Sequence, residues 1–442
     1  MQDSSTNAPE RITSQTLTRV GRGTAMGQFM REYWIPALMS RELKPDGDPI
    51  RVLLLGEKLI GFRDSDGKPG VMDQRCPHRG VSLFLGRNEA GGIRCIYHGW
   101  KFTTDGQCVE MPNVPAAQDC KHLMRAKAYP TQERGGVVWV YMGDRTEPPG
   151  LPDIEATRLA DEDVSVVCMQ RHCNYLQMIE SDLDTSHFAF LHLGCVTPDD
   201  LAEDSPLRQQ VETRAPEFAP TSDMPWGTSY GAHFNSGEGR RYWRVANYLM
   251  PFWTQTPQGD FRDHIDAVAY IPMDDEHTMM FRFSWRKKSR SFHPLDKNGD
   301  LLPGLVGDWA KTLLPNTTDW YGRWRPAANP SNDWNIDRAA QRSDEIFSGV
   351  TEVLTQDQAA VESMGPIVDH SLEHFVSSDQ MVLRTRKRMV KALRRFMAEG
   401  AAPPGVDDPT IFAAARSGFF EADAAVEWPR VYAEMSKDLT HA

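Results

Sequence analysis

The sequence is poor in cysteine for its length, which excludes a scaffold held together by disulfides. Only seven cysteines are spread over 442 residues, whereas disulfide frameworks occur in short chains with closely spaced cysteines. The sequence also has no internal repeat and no low-complexity segment. A chain of this length can bury a large core and is long enough for two or more domains. We expect its cysteines to be reduced.

The sequence also lacks a surplus of basic residues and a long apolar run. Its 61 acidic residues outnumber its 49 basic ones and give a net charge of −12, which argues against nucleic-acid binding. No apolar run approaches the length of about 18 residues that a membrane span needs. Residues 1–15 are polar and show neither the basic start nor the apolar stretch of a signal peptide. We therefore expect a soluble, cytoplasmic protein with no nucleic-acid or membrane partner.

The sequence does contain two cysteine and histidine motifs between residues 76 and 98. They read Cys76-x-His78 and Cys95-x-x-His98. Two thiolates and two imidazoles suit a Rieske-type [2Fe–2S] cluster, in which histidines replace two cysteines on one iron. A zinc site is the alternative, but zinc motifs usually separate their first two ligands by about two to four residues rather than one. The spacing therefore favours the iron–sulfur cluster.

The residues that follow these motifs support cluster binding. Gly80 and Gly99 come directly after the two ligand pairs, so each loop can turn tightly and bring backbone N–H groups close to the cluster sulfurs. Trp100 is placed to shield the cluster from water. We predict that the two loops hold the cluster between them.

Short strand patterns dominate the region around these loops. Glycine- and aspartate-rich turns separate strands that we predict over residues 51–55, 59–63, 71–72, 92–94, 101–102 and 137–141. A short helix is predicted before them, over residues 24–34. We predict an N-terminal helical segment over residues 1–39 and an antiparallel β domain over residues 40–147, with the cluster at its loop tips.

The pattern changes after a proline-rich stretch at residues 147–152. This stretch breaks regular structure and predicts a linker. Residues 151–442 predict an α+β catalytic domain, with a helix over 174–193, strands over 165–170, 242–248, 266–271 and 278–285, and a helical C-terminal end.

Two further segments of this domain have distinctive patterns. Residues 286–335 are irregular and predict a covering loop. Residues 381–397 are basic and amphipathic, which predicts a packed surface helix. Docking of an acidic redox partner, or an oligomer interface, is the alternative role for this helix.

The predicted helix over residues 174–193 carries candidate ligands for a second metal. Glu180, Asp184 and His187 are spaced so that they share one helical face. His187 and His192, with one carboxylate from elsewhere, form the facial triad of a non-haem Fe(II) site, which leaves positions open for O2 and substrate. Their five-residue spacing does not fit one helical face, so we expect a bend between them.

These motifs together resemble those of the catalytic subunits of Rieske non-haem iron oxygenases. The resemblance is carried by the cluster motifs at residues 76–98 and by Asp184-x-x-His187-x-x-x-x-His192. Segments 97–102, 174–177 and 362–367 are similar to the phthalate-dioxygenase-like branch, and the likeness runs from about residue 17 to residue 392. The resemblance implies an α+β fold with an N-terminal Rieske domain. It also implies a C-terminal helix-grip-like domain with an antiparallel sheet and iron-bearing helices.

The resemblance implies an electron path between subunits. Asp184 takes the position of a carboxylate that links the mononuclear iron site of one subunit to a cluster histidine of its neighbour, here His98 or His78. Such a carboxylate can accept the second N–H of a ligating imidazole and orient it. Closing this path requires a head-to-tail ring, so a homotrimer or a stacked hexamer is implied.

The resemblance also points to the remaining iron ligand and its surroundings. The family takes its third ligand from an aspartate five residues before a glutamate, which indicates Asp357, with Glu362 as the alternative. Asn174 and Glu180 fit hydrogen-bonding roles behind the iron ligands. An acid at a helix N-terminus can instead merely complement the helix dipole.

Two arginines are candidates for binding the substrate. Arg208 and Arg244 are similar in position to the pair that holds the carboxylates in phthalate-type enzymes, and Arg244 lies in an otherwise apolar strand. A guanidinium there suits a bidentate contact with a carboxylate; an arginine on the wet face of the strand is the alternative. Aromatic candidates for stacking on substrate, or for core packing, are Tyr242, Trp243, Tyr248, Phe252 and Trp253.

We therefore expect a terminal oxygenase that uses O2 to hydroxylate an aromatic carboxylate. A phthalate-type dicarboxylate undergoing cis-dihydroxylation is the leading expectation. Monooxygenation, O-demethylation or diaryl-ether cleavage of a substituted benzoate is the alternative, and a Rieske electron-transfer protein without oxygenase activity is the alternative of another class. The sequence has no convincing Gly-x-Gly-x-x-Gly loop after a strand, so we expect a separate flavin and iron–sulfur reductase to deliver electrons from NAD(P)H.

Overall fold

Three small antiparallel sheets surround the two cluster motifs. A computed structural model describes residues 12–203, 208, 211–237, 239–286, 296–298 and 313–437. The sheet orders are β1-β11-β10, β2-β3-β4-β9 and β5-β6-β7-β8. The strands are β1 Trp34–Met39, β2 Ile50–Leu54, β3 Glu57–Arg63, β4 Pro69–Asp73, β5 Arg87–Glu89, β6 Gly92–Arg94, β7 Lys101–Phe102, β8 Cys108–Glu110, β9 Ala128–Tyr129, β10 Thr131–Arg134 and β11 Val137–Tyr141.

A larger antiparallel sheet forms the C-terminal part of the described structure. Its main path runs β12-β19-β18-β17-β16-β15-β13, with β14 paired to β15 and β20 paired to β16. The strands are β12 Val164–Arg171, β13 Glu217–Phe218, β14 Ser222–Met224, β15 Gly227–Gly237, β16 Arg240–Leu249, β17 Trp253–Gln255, β18 Asp266–Pro272, β19 Thr278–Trp285 and β20 Gly418–Asp423.

Helices pack around this sheet, and those that carry the candidate iron ligands cover one of its faces. Among the described residues they are α1 Ala25–Arg31, α2 Glu155–Arg158, α3 Tyr175–Leu183, α4 Phe188–Leu191, α5 Arg338–Arg342, α6 Val353–Glu362, α7 Gln380–Glu399 and α8 Trp428–Lys437. None of the described helices combines the length and the apolar composition needed to cross a bilayer.

The two faces of the large sheet have different neighbours because side chains alternate along each strand. On one face, Trp253 of β17 stacks on Trp139 of β11 at 5.8 Å, which joins the large sheet to the N-terminal part. On the other face, Thr254 donates a hydrogen bond to Asp182 of α3, and Thr228 of β15 lies 2.8 Å from Thr385 of α7. The helices that carry the candidate iron ligands therefore pack on the face turned away from the N-terminal sheets.

Most of the predicted strands are present, and the fold is the predicted α+β type with an antiparallel catalytic sheet. In the described part of the N-terminal segment predicted as helical up to residue 39, Gln15–Thr18 forms a 3-10 helix and Ala25–Arg31 an α-helix. Trp34–Met39 is instead a fully buried strand that pairs with β11. A segment whose side chains are all apolar and buried on both faces shows no alternation that identifies a strand.

The predicted single helix over residues 174–193 is also wrong, because the structure has two helices there. Helix α3 ends at Leu183, and Asp184 has an extended ψ of 105°. The Asp184 carboxylate accepts hydrogen bonds from the backbone N–H of Ser186 at 2.7 Å and from its hydroxyl at 2.6 Å. This local aspartate turn competes with the helical hydrogen bonds, so the break lies before His187 rather than between the two histidines.

Two other segments can be compared with their predictions. The basic helix is confirmed as a packed surface helix, since α7 buries only the stripe formed by Met381, Val382, Thr385, Arg386, Met389, Ala392 and Leu393. In the predicted covering loop over 286–335, residues 287–295 and 299–312 lie outside the described residues. In its described part, Arg323 forms a buried ion pair with Glu42, with nitrogen–oxygen distances of 2.8 and 2.7 Å.

Candidate active site

The two cluster motifs lie on loops with the same hydrogen-bond pattern. In the first loop, Cys76 N–H donates to the carbonyl of Val81 at 2.9 Å, and Gly80 N–H donates to the carbonyl of Cys76 at 2.9 Å. The loop from Cys95 to Trp100 repeats both bonds at 2.8 and 3.0 Å. A glycine with φ near +76° ends each tight turn, a conformation that glycine adopts without steric cost.

The side chains of these loops fit a Rieske [2Fe–2S] cluster. Cys76 and Cys95 are buried free thiols, and the imidazole rings of His78 and His98 lie 4.7 Å apart. Burial and the neighbouring Cys95 raise the pKa of Cys76 to about 11, so a thiolate at this position needs a metal to stabilise its charge. Nδ1 of His98 is buried without a hydrogen-bond partner, as expected for a ring nitrogen that faces a metal.

Trp100 covers one side of the cluster loops. Its ring stacks on His78, with 4.4 Å between centroids and 9° between ring planes, and it is buried. Its indole N–H donates to Asn113 at 2.8 Å. This packing matches the predicted shielding role. On the other side, Tyr97 lies 3.9 Å from the His98 ring and is half exposed.

The structure brings His187, His192 and Asp357 together at a second site. Nε2 of each histidine lies close to Oδ1 of Asp357, at 3.4 Å for His187 and 3.3 Å for His192. One ligand atom from each of the three residues lies within 4.8 Å of the others. The buried Oδ1 atom accepts no hydrogen bond. Two imidazoles and a carboxylate around such an orphaned oxygen fit a mononuclear iron.

Electrostatics at this second site also suit a cation. Although burial opposes ionisation, the two imidazoles hold the pKa of Asp357 well below its usual range. Burial favours the neutral ring of His187, but Asp357 raises its pKa. The carboxylate is therefore ionised and attracts positive charge into the space between the two rings.

Gln356 fixes the orientation of His192. Its amide N–H groups donate to the carbonyl of Val350 at 2.6 Å and to the hydroxyl of Ser348 at 2.8 Å. Its amide oxygen, 2.7 Å from Nδ1 of His192, is therefore the acceptor. This assignment places the proton of His192 on Nδ1 and leaves the Nε2 lone pair for a metal. Sequence reasoning missed Gln356, although it directly precedes Asp357.

Asp184 lies beside the other histidine ligand. Its Oδ2 is 4.0 Å from Nδ1 of His187, and its side chain is 32% exposed. A carboxylate in this position can orient the ring and still be reached by another subunit. Asp184 and His187 remain close although the helix ends before them, because the Asp184 side chain closes a turn with Ser186.

Glu362, the alternative iron ligand, has a full set of other partners. Its carboxylate accepts hydrogen bonds from the backbone N–H of His172 at 2.8 Å and from the indole of Trp334 at 2.7 Å. It also accepts one from Gln358 at 3.0 Å. These three hydrogen bonds give Glu362 a structural role in α6. The group of residues that could hold a metal ion contains Asp357 and does not contain Glu362.

The structure does not bring Asn174 and Glu180 to the iron triad. Asn174 caps the N-terminus of α3 by accepting from Leu176 N–H at 3.1 Å, about 14 Å of helix away from Asp184. Glu180 forms two hydrogen bonds of 2.5 Å with Arg386 of α7. Both side chains therefore hold α3 in place, and neither contacts a candidate iron ligand.

The two candidate substrate arginines differ in their surroundings. Arg208 donates to the carbonyl of Pro198 at 2.8 Å and pairs with Glu212 at 3.3 Å. Arg244 is 9% exposed and donates to the hydroxyl of Thr185, and burial lowers its pKa. In the described part of the chain, no carboxylate lies within ion-pair distance of Arg244. Its Nε has no hydrogen-bond partner.

The predicted aromatic candidates are all buried, but on different faces. Tyr242 lies on the face of β16 that carries Arg244, because the two residues are two positions apart on one strand and successive side chains alternate between faces. Trp253 faces the N-terminal sheets. Tyr248 donates its hydroxyl to the carbonyl of Pro251 at 2.9 Å. Tyr242 and Tyr248 therefore share the face of Arg244, whereas Trp253 lies on the opposite face.

Comparisons with known proteins agree with this arrangement. A family model described as the Rieske [2Fe-2S] domain matches residues 33–130, and one described as "LigXa C-terminal domain like" matches residues 140–435. The chain is 48% identical to the 3-chlorobenzoate-3,4-dioxygenase oxygenase subunit of Comamonas testosteroni, over 96% of this chain and 98% of that protein. It is 34% identical to the phthalate 4,5-dioxygenase oxygenase subunit of Pseudomonas putida, over 87% and 86% of the two chains.

A solved structure shares the fold. The caffeine-bound QL mutant of NdmA from Pseudomonas putida CBB5 aligns with a TM-score of 0.55 at 18% identity, over 90% of this chain and 98% of that chain. At this identity the likeness concerns the fold alone. The family matches and the relatives above show that the chain belongs to the Rieske non-haem iron oxygenases, as an oxygenase subunit of the phthalate-dioxygenase-like branch with a [2Fe–2S] cluster and a mononuclear iron as cofactors.

Proposed function

We propose that the enzyme oxygenates an aromatic monocarboxylate, a substituted benzoate, whose carboxylate binds Arg244. The observation that carries this proposal is the buried guanidinium of Arg244, which has no carboxylate partner among the described residues. A buried charge without a partner is costly, and an anionic ligand removes that cost. A benzoate carboxylate matches the planar guanidinium in charge and shape.

The position of Arg244 supports this assignment. It donates to the hydroxyl of Thr185, two residues before His187, and its guanidinium lies 5.6 Å from the ring centre of Phe188. A carboxylate on Arg244 therefore holds an aromatic ring next to the iron triad. Holding the substrate in one orientation beside the reacting centre lowers the barrier to reaction.

One carboxylate is favoured over two by the state of Arg208. This second candidate arginine already contacts Pro198 and Glu212, so of these two arginines Arg244 is the one available for an anion. The name of the chlorobenzoate relative supports a monocarboxylate. A phthalate-type dicarboxylate, the expectation from sequence, is the second candidate because of the phthalate relative.

We also propose the route of the electrons. A flavin and iron–sulfur reductase passes them to the cluster held by Cys76, His78, Cys95 and His98, and Asp184 links a cluster histidine of a neighbouring subunit to His187. The partly exposed carboxylate of Asp184 supports this path, and a head-to-tail trimer or stacked hexamer closes it. When bound, the mononuclear iron activates O2. The residues of this chain hold its ligands, orient His192 through Gln356 and bind the substrate.

The test is a panel of benzoates, methoxybenzoates and phthalates given to the purified enzyme with NADH and a phthalate-dioxygenase-type reductase, following O2 uptake and products together. We expect uptake coupled to a benzoate. A dihydrodiol indicates dihydroxylation, and formaldehyde from a methoxybenzoate indicates O-demethylation. No coupled uptake with any aromatic acid contradicts the proposal.

Two arginine variants locate the carboxylate. We expect Arg244→Met to weaken benzoate binding by about tenfold or more, the effect of losing hydrogen bonds to a charged group. Arg208→Met is the matched control and should leave benzoate affinity unchanged. If Arg208→Met weakens the binding of phthalate as strongly as Arg244→Met does, the two-arginine dicarboxylate site is correct instead.

A further inference from the structure

Asp182 presents an unused carboxylate oxygen near the candidate active site. Its Oδ2 accepts hydrogen bonds from the Thr254 hydroxyl at 2.6 Å and from the Tyr270 hydroxyl at 2.8 Å. Oδ1 accepts none from the described residues and is not among their buried unpartnered atoms. Two hydroxyl donors therefore fix the carboxylate while its second oxygen stays accessible.

Asp182 and Arg244 lie over the same face of the large sheet. Thr254, which holds Asp182, pairs directly with Tyr248 of β16. Tyr248 is four residues from Arg244 on the same strand, so both side chains point to the helix-covered face. The carboxylate of Asp182, on α3, and the guanidinium of Arg244, on β16, therefore lie over the same face of the sheet.

Tyr230 is a third buried side chain near these two groups. Its side chain is on this face too, since Tyr230 pairs with Ala246, two residues from Arg244. Burial raises the pKa of Tyr230; Arg244 lowers it, while Asp184 and Asp182 raise it further. Tyr230 therefore lies within electrostatic range of both Arg244 and Asp182.

The pKa of Asp182 also responds to the charge of Asp357, one of the three candidate iron ligands. Burial raises the pKa of Asp182 to about 6, and the charge of Asp357 contributes to the rise, against the effects of Thr254, Tyr270 and Arg282. A carboxylate held next to another carboxylate is unfavourable unless a donor meets it. Oδ1 is the atom of Asp182 that can accept a hydrogen bond from a further donor.

We propose that Asp182 selects benzoates that carry a hydroxyl or amino group, by accepting a hydrogen bond from that group at Oδ1 while Arg244 holds the carboxylate. This inference rests on the proposed function. It makes Asp182 a specificity-determining residue. A site built to hydrogen-bond a polar substituent discriminates strongly against analogues that lack the donor.

The test compares ligands that differ only in one substituent. Dissociation constants are measured by calorimetry, on protein with its cofactors, for 3- and 4-aminobenzoate, the two hydroxybenzoates and the two chlorobenzoates. In the wild-type enzyme we expect the amino or hydroxyl ligand of at least one position to bind about tenfold more tightly than the chloro ligand, because the acceptor is charged. Binding that favours the chloro ligand at both positions overturns the inference.

Two variants assign the preference to Asp182. In Asp182→Asn, the amide oxygen can still accept from Thr254 and Tyr270, while an N–H group replaces Oδ1; we expect the preference for the amino group to disappear. In Asp182→Leu we expect the chloro ligand to bind more tightly than either polar ligand. Thermal unfolding and the visible spectrum of the cluster show whether both variants are folded. An unchanged ligand preference in folded variants overturns the inference.

The outcomes separate this inference from the proposed function. If chlorobenzoate binds in a way that Arg244→Met abolishes, but no polar substituent improves binding, only the role of Asp182 is wrong. If no benzoate binds, or if binding is indifferent to Arg244→Met, the proposed function is wrong as well.

Discussion

The amide oxygen of Gln356 lies 2.7 Å from Nδ1 of His192. The neighbouring residue, Asp357, contacts Nε2 of the same ring at 3.3 Å. Two consecutive residues of α6 therefore bracket one imidazole, one fixing its proton and the other sharing its metal-binding side.

The first prediction concerns Gln356. Gln356→Leu removes the acceptor for the Nδ1 proton of His192, so we expect iron affinity at the mononuclear site to fall by about 10- to 100-fold, the usual effect of losing such a partner. Iron content after dialysis, measured against the cluster absorbance, checks this. Gln358→Leu is the control, because Gln358 is a buried amide of the same helix that contacts Arg171 and Glu362 instead. Equal iron loss in both variants contradicts the prediction.

The second prediction separates the two acidic residues of α6. Asp357→Ala should lose the mononuclear iron and keep the visible spectrum of the cluster. Glu362→Gln should retain both cofactors but lower the free energy of unfolding by about 1–3 kcal/mol, because it weakens three hydrogen bonds to a buried charge. Metal analysis and denaturant titration measure the two effects. Iron loss in Glu362→Gln but not in Asp357→Ala reverses the ligand assignment.

The third prediction compares the glycines of the two cluster loops. Gly80 and Gly99 have nearly the same φ, +77° and +76°, so alanine at either position carries a backbone cost of about 1–2 kcal/mol. A Cβ at Gly80 meets nothing within 4 Å, whereas one at Gly99 lies 2.6 Å from Cγ of Pro112. We expect Gly99→Ala to lower cluster occupancy, measured as visible absorbance per protein, much more than Gly80→Ala does. Similar losses in both variants show that backbone strain alone matters.

The fourth prediction concerns pH and Glu57. Burial opposes its ionisation, but hydrogen bonds from Lys127, Tyr129 and Arg31 lower its pKa from the ordinary 4.5. A carboxylate with a lowered pKa stabilises the fold above its unfolded-state pKa, and this stability is lost as the pH falls below it. Glu57→Gln should therefore lower the free energy of unfolding by about 1–3 kcal/mol at pH 7, with a smaller difference below about pH 4.5.

The control for Glu57 is an exposed ion pair. Asp105 and Arg125 lie 2.8 Å apart with side chains 56% and 59% exposed, so Asp105→Asn should cost less than about 1 kcal/mol at pH 7. Denaturant unfolding of both variants at pH 7 and pH 4 measures the difference. A Glu57→Gln effect that grows as the pH falls contradicts the sign of the pKa shift.

The cluster loops and the main strands were predictable because their signals are local. A spacing such as Cys95-x-x-His98 indicates a ligand loop by itself, and the glycine after each pair indicates a tight turn. Strands such as β18 and β19 combine β-branched and aromatic residues between turn residues, so they also stand out.

The surroundings of the iron site were less predictable because their contacts are distant in sequence. Glu180 and Arg386 are 206 residues apart. No local sequence pattern therefore indicates that the Glu180 carboxylate binds Arg386 of α7 rather than His187. The apolar residues over 174–193 follow a strong helical pattern, so the aspartate turn that ends the helix at Asp184 was not predicted. The role of Asp182 could not be predicted because its partners, Thr254 and Tyr270, are 72 and 88 residues away in the sequence.

The alternation of side chains along β16 and β17 separates two tasks within the same strands. Trp253 belongs to the stack with Trp139 that joins the sheets, whereas its neighbour Thr254 faces the iron-bearing helices. Replacing residues on the helix-covered face leaves the aromatic stack untouched. Substrate preference can therefore diverge through evolution or engineering while the connection between the cluster-bearing half and the catalytic half is preserved.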